Sequence, residues 1–140
     1  MTAANDGSFA GAEGQATPKI PTVIAYTNSG KEFQWGALAD QKDGNIVAVK
    51  LLLDPSQERP MYLPSMNHKR ILKNLPKPPL DIATDFIGAM YRHAISEISK
   101  TVQKEYFDAC EKEFVVTVPA IWSDQAKDVT KRVGRLGETG

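Results

Sequence analysis

The stretch Phe114-Val-Val-Thr-Val-Pro-Ala-Ile-Trp-Ser123 constrains the fold of this chain more than any other. An apolar, β-branched run is halted by Pro119, and Ser123 then opens a segment with helical spacing. Such a run favours a pleated strand, proline ends it by removing a ladder donor, and serine is a preferred helix N-cap. A strand that feeds through a fixed turn into a helix belongs to mixed α and β architectures, and the junction is where many of them hold a ligand. Glu113 to Val118 is accordingly the predicted central strand, and a helix is predicted from Ser123 to about Val133.

The rest of the chain supplies partners for that unit. Thr22 to Thr27 carries Val23, Ile24 and Tyr26, Asn28-Ser29-Gly30 is turn chemistry, and Phe33 to Trp35 can pair back, so a hairpin is predicted. Ala37 to Gln41 is a short helical candidate, and Ile46 to Asp54, ended by Pro55, leans towards helix. Six of the nine prolines fall between residues 55 and 79, which excludes one continuous element there, leaving Asn67 to Asn74 for a short helix. Asp81 or Thr84 can then cap a long helix, in which Ile87, Tyr91, Ala94, Ile95, Ile98, Val102, Tyr106 and Ala109 form an apolar stripe. Residues 1–18 are small, polar and Gly-rich and read as a flexible tail. Three glycines in residues 134–140 each cost a helix about 1 kcal/mol relative to alanine, so that segment reads as a second tail.

Composition narrows the function. Lys+Arg and Asp+Glu are equal at 17 each, so no net field draws the chain to nucleic acid or to an anionic membrane. No apolar run reaches the roughly 20 residues of a membrane span, and the first residues lack the pattern of a secretory signal. A single cysteine, Cys110, permits no internal disulfide, so a reducing, cytoplasmic setting is expected. His68 and His93 are too far apart for a short metal-ligand spacing, and Cys110 has no CxxC partner, so no metal site is expected. Asn5-Asp-Gly-Ser8, with Gly11 and Gly14, is no phosphate loop, because Met1 to Ala4 cannot form the strand that would aim its amides.

Val118, Pro119, Ala120, Trp122, Ser123 and Asp124 resemble a signature of the 70-kilodalton heat-shock (DnaK-type) chaperones. Ile20-Pro-Thr-Val-Ile-Ala-Tyr26, Val49-Lys-Leu-Leu-Leu-Asp54 and a long helix running into the strand follow in that family's order, and Trp35-Gly36 is similar to its divergent fungal branch. The resemblance covers roughly residues 19–133 and implies an α+β fragment, part of the actin-like, ribonuclease H-like lobe of the ATPase domain, with hairpin, long helix, central strand and following helix. It implies ATP with Mg²⁺ as cofactor, and clients or cochaperones as protein partners. Lys50 matches the family's catalytic lysine beside the γ-phosphate, a fixed cation of the kind phosphoryl transfer requires. Pro119 matches its switch proline, and Lys127 stands at the switch's basic position, where the family carries arginine with its bidentate fork. The family's phosphate loops have no counterpart here, so the expectation is a chaperone-like protein with little or no ATPase activity alone. On the residues by themselves Lys50 snorkels to solvent and Pro119 merely ends a strand, and the chain is then a non-catalytic interaction module using its sheet edge and the 55–79 segment.

Overall fold

The computed structural model describes residues 19–27, 30–54, 73–118, 120 and 122–139. The hairpin forms as expected. β1 (Val23–Thr27) pairs antiparallel with β2 (Glu32–Trp35), placing Ile24 opposite Trp35 and Tyr26 opposite Phe33. Gly30 is left-handed at φ 85°, a conformation that glycine adopts without a Cβ penalty. α1 (Ala37–Asp40) follows, and β3 (Ile46–Val47) adds to the other edge of β1, giving a three-stranded antiparallel sheet in the order β2-β1-β3.

The segment Ile46 to Asp54 is no single helix. Its first residues pair with β1, and Ala48, left-handed at φ 54°, turns the chain into a 3₁₀ helix over Val49–Leu53. This short 3₁₀ helix suffices to bury Val49, Leu52 and Leu53 while Lys50 stays half-buried.

β1 is covered on both faces, which explains why its alternation is weak in sequence. Ile24 shares its face with Phe33 and Ile46 and joins the main core, whereas Val23 and Ala25 pack against Ala39 of α1 on the other face. Over the main face lies α2 (Pro79–Thr101), which contributes Ile82, Ala83, Phe86 and Ala89 to the core. These fall three and four residues apart, on one side of the helix. The buried stripe is thus shifted towards the N-terminus of the expected one: Ile98 is 47% exposed and Tyr106 65%. α2 starts at Pro79, in the first-turn position that proline favours, without the expected Asp81 or Thr84 cap, and the Thr84 hydroxyl instead donates to the Leu80 carbonyl. It stops at Thr101, and a separate short helix, α3 (Lys104–Ala109), completes what the periodicity read as one helix.

α4 (Asp124–Thr139) packs along α2. Trp122, Ala126 and Val133 enter the core, and Thr130, also buried, returns its hydroxyl to the Ala126 carbonyl at 2.9 Å. The helix does not end near Val133. It continues through Gly134 and Gly137, and at Gly137 the helices approach closely: a Cβ there would lie 3.0 Å from the Gly88 nitrogen and 3.0 Å from Ile87 Cγ2. The two helices therefore cross with glycine against glycine, and their packing outweighs the helix-breaking tendency of glycine.

The expected central strand, Glu113 to Val118, does not form. Residues 111–118 belong to neither strand nor helix, and Phe114, Val115 and Val116 are exposed, Val115 to 80%. β-branched residues make a segment suitable for a sheet, but a strand exists only where a neighbour receives its ladder, and no described strand lies alongside this one. The fold is mixed α and β, with four α-helices and one three-stranded sheet among the described residues.

Where β1 meets α2 a polar clasp forms. The Tyr26 hydroxyl donates to Asp85 Oδ2 at 2.7 Å, and Lys77 Nζ meets the same oxygen at 2.7 Å while lying 5.1 Å from the Tyr26 ring centre. Burial first, and then the bond to Asp85, pushes ionisation of Tyr26 far above the ordinary tyrosine value of 10.0. A raised folded-state value means that this stabilisation is full below pH 10 and declines above it, because the unfolded chain releases its proton first. Tyr26→Phe should cost about 1 kcal/mol at neutral pH and flatten the loss of stability between about pH 10 and 11. Urea unfolding at several alkaline pH values reads both effects, and parallel wild-type and variant curves would refute the clasp.

Candidate functional site

Two of the three residues singled out by the sequence can be located. Lys50 leaves the 3₁₀ helix and donates from Nζ to the Thr117 carbonyl at 3.2 Å, across 67 residues of sequence. Lys127 lies on the first turns of α4, half-exposed, with Asp124 Oδ1 3.7 Å from its ammonium. An ion pair this exposed, with Asp124 fully in solvent, contributes little. Pro119 lies outside the described residues, as do residues 1–18, His68 and the greater part of the proline-rich segment.

The start of α4 is built as expected. Ser123 Oγ accepts from the Ala126 N–H at 3.2 Å, the N-cap bond that relieves an unpaired donor of the first turn. Asp54 is a contributor that sequence reasoning missed. It is 4% exposed, and its Oδ2 accepts from the Ser123 N–H at 3.4 Å, tying the end of the 3₁₀ helix to the start of α4. The only sequence signal for it is a lone carboxylate closing an apolar run.

Beside Lys50 a groove of about 200 Å³ opens. α2 contributes Ile87, Met90, Tyr91 and Ala94, the 114–117 segment faces them, and Gly134 and Lys50 complete the lining. Tyr91 and Phe114 bring their rings to 4.6 Å, which holds the irregular segment against α2. No acidic side chain lines the groove. Among the described residues the Lys50 ammonium has the Thr117 carbonyl as its partner and meets no carboxylate.

His93 packs edge-on against Trp35 at 5.6 Å, the packing histidine that its place in the helix implies. Cys110 is free and half-buried at the end of α3. No group of three or more His, Cys, Asp or Glu side chains suited to a metal occurs among the described residues, and no helix there is long and apolar enough to cross a membrane.

Against the chemistry of Mg-ATP this donor set is partial. Lys50 offers one cation to a phosphate, but the groove around it is walled by hydrocarbon and aromatic side chains where a triphosphate needs several donors. The residues fit a single phosphate contact, and they do not fit a complete Mg-ATP site. Comparison with family models, curated proteins and solved structures finds no match to the chain.

Proposed function

We propose that this chain is a chaperone-like protein related to the ATP-binding heat-shock ATPases, retaining one phosphate contact at Lys50 and having little or no ATPase activity alone. The observation that carries the reading is the bond from Lys50 Nζ to the Thr117 carbonyl. It joins the two segments that the family resemblance marks as phosphate contact and switch, which lie far apart in sequence. Asp54 strengthens the junction, since it links the lysine-bearing 3₁₀ helix to the Ser123 end of the helix that carries Lys127. Movement of Lys50 towards a phosphate would release the Thr117 carbonyl and so be felt at the start of α4.

Thermal unfolding with and without millimolar Mg-ATP tests this. A ligand bound only by the folded state, at about four times its dissociation constant, adds about 1 kcal/mol, a rise of roughly 3 °C for a chain of this size. The rise should vanish in Lys50→Ala, and no phosphate should be released above background. A sharp melt unmoved by Mg-ATP would overturn the nucleotide reading and leave the interaction module, which is supported by the exposed apolar residues Phe114 to Val116.

A further inference from the structure

The groove between α2 and the 114–117 segment combines two features that the nucleotide reading does not use together. It is apolar along Met90, Tyr91, Ala94 and Phe114, and at its rim stands the Lys50 ammonium, solvent-facing and held by one neutral carbonyl. A cation with no carboxylate partner among the described residues, set beside hydrocarbon and aromatic surface, is complementary to a molecule with an apolar body and one negative head. The Thr117 carbonyl leaves two of the three ammonium donors of Lys50 for that head.

Size limits the body. An apolar cavity of about 150 Å³ holds a benzene ring, so this open groove of about 200 Å³ seats one ring or a short branched chain. The Tyr91 and Phe114 rings, tilted at 59°, offer an edge and a face to an aromatic guest. We infer that this groove binds a small aromatic or short-chain monocarboxylate, its body between α2 and the 114–117 segment and its carboxylate on Lys50.

The probe is 3-phenylpropionate, titrated into the full chain and followed by NMR at the Met90 methyl and the Tyr91 ring, with the neutral 3-phenylpropanamide as its matched control. Binding in the millimolar range is expected, with the amide about five- to tenfold weaker. Lys50→Met keeps the apolar stem and removes the charge, so acid and amide should then bind alike. Ala94→Phe should weaken both by filling the groove. Equal affinity of acid and amide in the wild-type chain would overturn the inference without any variant. So would a persisting preference for the acid in Lys50→Met, or shifts that bypass Met90 and Tyr91. The inference stands apart from the nucleotide reading: carboxylate binding without an ATP-induced rise in melting temperature sinks only that reading, and the reverse result sinks only this one.

Discussion

Gly137→Leu should destabilise the fold by about 2 kcal/mol, although leucine is the far better helix former. Even the first carbon of the new side chain would lie 3.0 Å from the Gly88 nitrogen and from Ile87 Cγ2, inside van der Waals contact with one backbone atom and one constrained methyl. The Gly88 backbone cannot retreat without separating α2 from α4, and the helix-propensity gain of about 1 kcal/mol is outweighed by an overpacking penalty of up to about 3 kcal/mol for the methylenes that leucine adds. Gly134→Ala is the internal control. There a Cβ would meet only Val116 Cγ2, at an ordinary 3.5 Å, so the same propensity gain should appear as unchanged or slightly higher stability. Urea unfolding midpoints separate the cases, and a Gly137→Leu chain that unfolds with the wild type would mean that the two helices do not cross there.

Phe86→Ala should cost about 4 kcal/mol. Phe86 is buried where α2 faces the sheet, and its ring meets the edge of Trp35 at 6.1 Å. The truncation loses both the transfer energy of a phenyl group and the contacts of the cavity left behind in the main core. Tyr106→Ala removes a comparable ring from α3, where the side chain is 65% exposed, and should change stability little. Denaturant titrations of the two variants should therefore differ severalfold, and a Phe86→Ala loss below about 1 kcal/mol would contradict the placement of α2 over the sheet.

What could be read from the sequence was whatever a local pattern determines. The hairpin was legible because Asn28-Ser29-Gly30 separates two β-favouring runs, and the α4 cap because Ser123 both follows a turn and precedes helical spacing. The misread elements depend on distant partners. Glu113 to Val118 has the composition of a strand, but composition supplies no neighbouring ladder. Gly134 and Gly137 read as breakers because the surface that Gly137 presses against, at Ile87 and Gly88, is remote in sequence. The candidate site divides in the same way. Lys50 stood out as a charge in an apolar run, whereas its bond to Thr117 and the role of Asp54 exist only after the 3₁₀ helix and the start of α4 come together.

The glycine crossing also bears on how the chain is made. The sheet is complete within the span from Val23 to Val47, so its pairing can form as soon as those residues emerge. The side of α2 that meets α4 has no such early partner, because Gly137 is synthesised long after Gly88. At about 5–20 residues per second, Ile87 and its neighbours stand uncovered for a few seconds on the ribosome, which makes the nascent chain itself a substrate for whatever guards exposed hydrocarbon in the cell.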